Sequence, residues 1–438
     1  MLKRNEIYKI DYLLVVAMAL IVLIGILMIY SAGFDPIEKV NSGLFKKQLL
    51  WFIIGFVLMI ALTFVNYNWL GDYSLHIFIV ILLMLLFTVI FGRPVRNSKA
   101  WITLGVLSIQ PSEFMKLSLI IILAKYLELR EMEIGHFREL VIPALLTFVP
   151  IIIILLQPDF GTALVFIPIL FTMLFVGGAD ITHLVSIILI ATIATVVPMV
   201  ITYREWVGEE SANMLLDLFK NTDLIFVISG VLILIALAAF ILHFFFVKKF
   251  YRRIYVPASV MSMGLFFSVI IMKYLKEYQK KRLLVFLNPD LDPHGSGYNV
   301  IQSKIAVGSG GFLGKGFLKG SQAQLGFLPE KSSDFIFSVV AEEWGFIGSI
   351  VLVGLLGVII YKGIYIALES KDKFGALLAS GITTFFFFHM LINIGMGIGI
   401  MPVTGLPLTF VSYGGSNLIV SMMCIGILIN IRMRKFVY

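Results

Sequence analysis

YLLVVAMALIVLIGILMIY, residues 12–30, carries no charged side chain and is preceded by Lys3, Arg4 and Lys9. A helix rises about 1.5 Å per residue, so a run of this length covers roughly 30 Å of bilayer hydrocarbon while pairing its own backbone. The run lacks a small-residue cleavage site and reads as a retained membrane helix, not a removed signal. Comparable runs predict further spans at 47–66, 74–92, 113–129, 139–156, 160–177, 182–202, 224–247, 254–275, 335–362, 375–398 and 405–431, twelve in all.

Composition agrees. Of 438 residues, 60% are hydrophobic and 14% charged, with a mean hydropathy of +1.00. Soluble domains carry about 25% charge, and the alternation of a β-barrel is absent. The fold class is therefore an all-α polytopic membrane protein forming a single integral membrane domain, 1–438. The net charge of +8 reflects topology and anionic headgroups, and nucleic acid is not an expected partner. Cys424, the only cysteine, lies inside the last apolar run and reads as a buried structural thiol.

With a cytoplasmic N-terminus, the basic loops at 125–138, 248–253 and 362–373 and the tail 432–435 fall inside, as the positive-inside rule requires. The same threading puts two other segments outside. One, 92–112, carries Arg93, Arg96 and Lys99 without an acidic residue. The other, 276–334, reads KEYQKKRLLVFLNPDLDPHGSGYNVIQSKIAVGSGGFLGKGFLKGSQAQLGFLPEKSSD and is the longest polar segment of the chain. Basic external segments point to an anionic ligand, or to the headgroups of the outer leaflet.

Several short motifs carry ionisable groups near span ends. In LLQPDFGTALV, Asp159 either caps the following helix or serves function, since a carboxylate at the interface must be paired or hydrated. In IQPSEFMKL, Glu113 and Lys116 are spaced i, i+3 and can pair within the helix; alternatively Lys116 contacts a phosphate while Glu113 orients it. In 288–298, prolines and glycines fix the backbone around Asp290 and Asp292, candidate general bases. The glycines from Gly308 to Gly316, with Lys304, Lys315 and Lys319 beside them, could cradle a phosphate with bare amides, or form a re-entrant turn. Glu342 and Glu343 sit in an apolar helix and need a buried cation or a water-filled groove. GLPLTFVSYGGS, with Ser412 and Tyr413, breaks the helical pattern, which is tolerated only where the backbone is buried in protein or lines a cavity.

Together AWITLG, IQPSEFMKL, LLQPDFGTALV, FLNPDLDPHGSGYNVIQSKIAVGSGGFLGKG, FLPEKSSDFIFSVVAEEWG and GLPLTFVSYGGS resemble the SEDS family of bacterial cell-wall polymerases, closer to its elongation branch than to its division branch. The resemblance runs from about Tyr12 to the C-terminus. It implies a peptidoglycan glycosyltransferase of the bacterial cytoplasmic membrane that polymerises lipid II on the outer face for cell elongation and shape. It also implies a class B penicillin-binding protein transpeptidase as partner, alongside other elongation-complex proteins and membrane lipids.

The family's essential carboxylate in DP-x-G-x-GY falls on Asp292, the Trp of W-I-x-L-G on Trp101, and the Lys of QPSE-x-x-K on Lys116. Substrate contacts are expected from Lys116, Trp101, Arg96, Glu113, Lys304, Ser412 and Tyr413. Asp159, Glu342 and Glu343 are expected as structural or cavity-lining polar groups. The chain departs from the family at Asn97-Ser98, usually Gly-Ala, and at Ala100, often Arg or Ser, which shifts any charge contact there to Lys99 or Arg96. Family members have ten spans, and 203–253 is an apparent insert with two extra helices.

The chemistry implied is attack of a sugar hydroxyl on the anomeric carbon of a glycosyl diphosphate lipid, with inversion. It needs a base, Asp292, and an anion sink. No cofactor is required by the sequence, although a divalent cation, magnesium or manganese, would assist the leaving diphosphate. A flippase for the lipid-linked precursor is the competing reading, and it requires a charged path through the membrane midplane.

Overall fold

The computed structural model describes residues 11–35, 40–95, 98–104, 107–207, 222–246, 249–274, 288–289, 292–293, 295 and 297–435. The long helices are α1 (Tyr12–Ala32), α2 (Leu44–Phe64), α4 (Ser74–Phe91), α5 (Pro111–Leu129), α6 (Val141–Leu156), α7 (Phe160–Gly177), α8 (Ile181–Val207), α9 (Thr222–Phe246), α10 (Lys249–Tyr274), α13 (Ile336–Glu369), α14 (Lys373–Ile398) and α15 (Gly415–Arg434). Shorter ones are α3 (Asn68–Asp72), α11 (Tyr298–Ser309) and α12 (Ser321–Gln324). Among the described residues eleven helices are long and apolar enough to cross a membrane. The remaining long one, α5, carries Glu113, Lys116, Lys125 and Glu128 and corresponds to the span expected at 113–129. The protein is an all-α, multi-pass membrane protein.

Helix ends follow local chemistry. Asp11, Asp159 and Asp372 cap α1, α7 and α14 by accepting from Leu14, Thr162 and Gly375 N–H groups at 3.4, 3.1 and 3.1 Å. Pro111 opens α5, where its missing N–H costs nothing.

The chain divides into two compact units, Met1–Ala179 with Asn299–Tyr438, and Asp180–Tyr298. In the larger unit α14 packs on α13, α7 and α5, α15 packs on α2 and α5, and α1 packs on α13. The buried middle is α14 and α15. At the α1 N-terminal end, Asp11 takes ion pairs from Lys362 at 3.0 Å and Arg432 at 2.7 Å, joining three helices. In the smaller unit α10 packs against both α8 and α9. Ile225, Leu265 and Val269 form its core, and Ser229 and Ser262 exchange hydroxyl-to-carbonyl bonds at 3.0 and 2.8 Å. Among its described residues, the 203–253 stretch holds the end of α8, the helix α9 and the first turn of α10, which runs on well past it.

Two departures from the hydropathy reading position the site. After a short antiparallel pair of β1 (Phe34–Asp35) and β2 (Val40–Asn41), the 92–112 segment, read as a loop, holds an antiparallel sheet of β3 (Arg93–Val95), β4 (Ser98–Leu104) and β5 (Leu107–Ile109), with Arg93 opposite Trp101 and Ile102 opposite Ile109. The alternating aromatic and β-branched residues of AWITL suit a pleated, half-buried surface. The last span begins at Gly415, not 405: residues 402–414 are non-helical, with Leu406, Leu408, Thr409, Phe410, Val411 and Ser412 buried. Burial in protein is the condition under which membrane-depth backbone can leave the helix.

Candidate functional site

The motifs of the larger unit interlock at the end where α1 finishes and α5, α13 and α15 begin. Lys116 Nζ donates to Glu113 Oε1 at 2.7 Å and lies 3.1 Å from His389 Nε2 on α14. Because an ammonium only donates, His389 accepts through Nε2 and donates Nδ1–H to the Pro407 carbonyl at 2.9 Å. The other Glu113 oxygen accepts from Asn417 Nδ2 at 2.9 Å, and the Phe385 ring lies 5.3 Å from the ammonium. Lys116 is 0% exposed. The i, i+3 pairing is therefore what the structure builds, and Lys116 does not reach solvent. A lysine can be buried at this depth only with such partners.

Neighbouring polar groups continue the layer. Gln110 Nε2 donates to Asp159 Oδ2 at 2.8 Å and its backbone N–H to Ser416 Oγ at 2.8 Å. Asp159 also accepts from Thr162 N–H and Oγ–H, so it is the helix cap that the sequence allowed. Burial holds its carboxyl above the usual carboxylate range, with the Thr162 bonds opposing. Ser412 Oγ donates to the Ser333 carbonyl and accepts from Leu408 N–H, and Tyr413 N–H bonds to Ser332 O at 2.8 Å. Gln48 on α2 closes the same loop from Ser412 O and Gly414 N. Asn393 bridges Asp334 O and Leu406 O at 2.8 and 2.7 Å.

The two glutamates of α13 take different partners. Glu342 accepts from Lys315 Nζ at 2.8 Å, from Ser321 Oγ, and from the N–H groups of Gln322 and Ala323. Glu343 accepts from Ser31 Oγ on α1, whose carbonyl takes Gln324 Nε2 at 3.1 Å. Both are buried. Immediately beyond them α13 breaks at Gly345, φ 65° and ψ −159°.

The glycine-rich segment fills that break. Lys315 and Gly316 N–H donate to Glu342 O and Glu343 O at 3.0 Å each, while Phe346 and Ile347 N–H donate to Gly311 O and Phe312 O. Of the amides read as a phosphate cradle, that of Gly316, with its neighbour Lys315, is thus spent on the open end of a split helix, and those of Gly310 and Gly314 bond to Val307 O and Gly310 O. A Cβ on Gly345 would lie 2.3 Å from Gly314 N, and one on Gly314, φ +82°, 2.1 Å from Glu343 O.

Asp292 belongs to the smaller unit, in a tight turn. Its N–H donates to Pro289 O at 3.3 Å and its carbonyl accepts from Gly295 and Gly297 N–H at 3.3 and 3.1 Å. A side chain at Gly295 would strike the Asp292 carboxylate, whose oxygens lie 2.3 and 2.6 Å from the Cβ position. Gly295 of DP-x-G-x-GY thus leaves room for a partly exposed carboxylate, while Gly297 clears the Pro289 and Asp292 carbonyls. Trp101 is half-buried on β4, and Lys304 is exposed on α11 with its chain across Gly399. Arg96, Asp290, His294 and the Lys280–Arg282 cluster lie outside the described residues. His389, Asn417, Gln48 and Asn393 were missed by the motif reading, although a histidine within the apolar run FFFFHMLIN is itself a signal.

These features define a multi-pass membrane protein with a self-neutralised layer of ionisable groups at one end of its larger helical unit. The family model for FtsW, RodA and SpoVE, described as cell cycle protein, matches residues 11–240 and 222–436. The chain is 37% identical over 432 residues to peptidoglycan glycosyltransferase RodA of Treponema pallidum (strain Nichols), covering 97% of this chain and 98% of the relative. It is 35% identical over 427 residues to stage V sporulation protein E of Bacillus subtilis (strain 168), 96% of each being covered. Among solved structures, a chain of a peptidoglycan synthase complex that coordinates polymerization and crosslinking matches with TM-score 0.67 and 30% identity, over 98% of this chain and 99% of that one. The chain belongs to the FtsW/RodA/SpoVE family, the SEDS family.

Proposed function

We propose that this chain is a peptidoglycan glycosyltransferase of the elongation type, which joins lipid II units into glycan strands on the outer face of the bacterial cytoplasmic membrane. The observation that carries the reading is the Asp292 turn, in which Gly295 leaves space for the carboxylate, in a chain that matches polymerase relatives over nearly its whole length. Asp292 takes the proton of the acceptor 4-hydroxyl as that oxygen bonds to the anomeric carbon of the donor. The bond from that carbon to the lipid diphosphate breaks, and the electron pair leaves with the diphosphate. General-base assistance of this kind contributes about 10²–10⁴-fold.

The anion sink is assigned to cations of the 92–112 and 276–334 segments on their charge, which a leaving diphosphate requires. Among the described residues no cluster of three His, Cys, Asp or Glu side chains could hold a metal ion. A magnesium or manganese ion would arrive with the diphosphate, the usual mode for magnesium, and no step is routed through it. The partner is a transpeptidase of the class B penicillin-binding type, by analogy with the solved complex in which polymerization and crosslinking are coordinated.

The flippase reading is disfavoured by where the charges lie. Among the described residues of the larger unit, Asp, Glu, Lys and Arg on the spanning helices occupy the two ends and leave the middle turns apolar. The test is reconstitution of the purified protein with lipid II, with and without the transpeptidase. Glycan strands from the wild type and none from Asp292→Ala are expected; equal polymer from both removes Asp292 from the mechanism.

A further inference from the structure

One polar segment of the larger unit behaves unlike a solvated loop. Residues 299–329 contain no Asp or Glu, and their lysines are Lys304, Lys315 and Lys319. Lys315 is committed to Glu342 at 2.8 Å, whereas Lys319 is exposed. Large apolar side chains of the same segment face outward: Phe312 is 66% exposed, Leu313 78%, Leu325 57% and Phe327 45%.

Contacts to the helices set the level of this surface. Phe312 meets Phe346 at a centroid distance of 5.5 Å, and Phe346 opens the part of α13 beyond its break. That part, 346–369, is about 36 Å long at 1.5 Å per residue, enough to span the hydrocarbon by itself. Phe317 stacks on Tyr30 at 6.5 Å, and Tyr30 meets Phe45 edge-on at 5.1 Å, at the end of α1 and the start of α2. Aromatic rings at span ends mark the membrane–water boundary. The backbone of the segment is paired with α13, which allows it to enter that zone.

We propose that residues 310–327 are seated in the membrane interface, with Phe312, Leu313, Leu325 and Phe327 in the acyl boundary and Lys319 against the phosphates of anionic phospholipids. The occupant is a bilayer surface enriched in anionic glycerophospholipid. The acid-free, lysine-bearing composition supplies the charge complementarity, and the outward apolar side chains supply the seat. Membrane contact at this site would tie the order of the α13 break to lipid composition.

Cys424 is the only native cysteine and is buried, so a single introduced cysteine can be labelled in the full chain. Leu313→Cys, and separately Phe327→Cys, would carry an environment-sensitive fluorophore in vesicles of phosphatidylcholine alone or mixed with phosphatidylglycerol. The expected result is blue-shifted emission, quenched by shallow brominated acyl chains and protected from aqueous iodide. Quenching by brominated phosphatidylglycerol should exceed that by brominated phosphatidylcholine, and Lys319→Gln should cut the preference by up to about fivefold, the worth of one lysine at an anionic surface. Water-like emission with iodide quenching at both positions overturns the membrane seat. A seat without lipid preference, or a preference that survives Lys319→Gln, overturns the anionic assignment.

Discussion

The Glu113–Lys116 pair and the Asp292 turn both present carboxylates named by the same family motifs, yet they are built in opposite ways. Glu113 is buried, and its two oxygens are consumed by Lys116 and Asn417, with His389 closing the far side of the lysine. Asp292 is partly exposed, and the backbone around it is shaped to keep a side chain away from its oxygens. Buried charge that is fully paired holds helices in register; a carboxylate with room beside it can meet a substrate. Recurrence of a residue in a motif does not distinguish a buried carboxylate from a partly exposed one, whereas the fold does.

Breaking the comparison at Asp292 should give the largest effect. Asp292→Ala is expected to lower lipid II polymerisation by at least about 10²–10⁴-fold, while unfolding in mixed micelles shifts by less than about 1 kcal/mol. Polymer yield and denaturation are measured on the same preparation.

Breaking it at the buried pair should do the reverse in kind. Lys116→Met leaves Glu113 as an uncompensated buried charge, at a cost of about 3–5 kcal/mol, and adding Glu113→Gln should restore part of that loss. A Lys116→Met variant with native stability but no polymerase activity would instead return Lys116 to direct substrate contact.

The split helix offers a third comparison, between backbone amides used for structure and amides free for a ligand. Gly314→Ala places a methyl group 2.1 Å from Glu343 O at a positive φ, so about 1–3 kcal/mol of strain is expected. The readout is protease protection of the 310–324 segment, which should fall. Phosphate affinity should not change, because the amides of Lys315 and Gly316 are already bonded to carbonyls. The smallest effect belongs to the smaller unit, where Ser262→Ala removes one partner of the α9–α10 hydroxyl exchange. About 0.6 kcal/mol is typical of such membrane hydrogen bonds, measurable as a small shift in unfolding midpoint.

Much of this was legible in the chain. Each expected span corresponds to a long helix, because the length and apolarity of a membrane helix are properties of consecutive residues. Asp159 as a cap was legible for the same local reason. The sheet at 93–109 was not, because short strands give a weak periodic signal beside charges. Nor was the break in α13, since Gly345 sits in an otherwise unbroken helical pattern and only the approach of Gly314 requires its conformation.

By itself, then, the sequence determined the membrane class, the places of the long helices, the Asp159 cap and the family, all of which rest on local hydropathy or contiguous motifs. Tertiary structure alone decided that His389 on α14 and Asn417 on α15 complete the Glu113–Lys116 pair. It also decided that the Lys315 and Gly316 amides serve a split helix and that residues 402–414 end the helical pattern inside protein. These facts depend on which helices meet, since a buried charge or an unpaired amide in hydrocarbon must find a partner wherever packing supplies one.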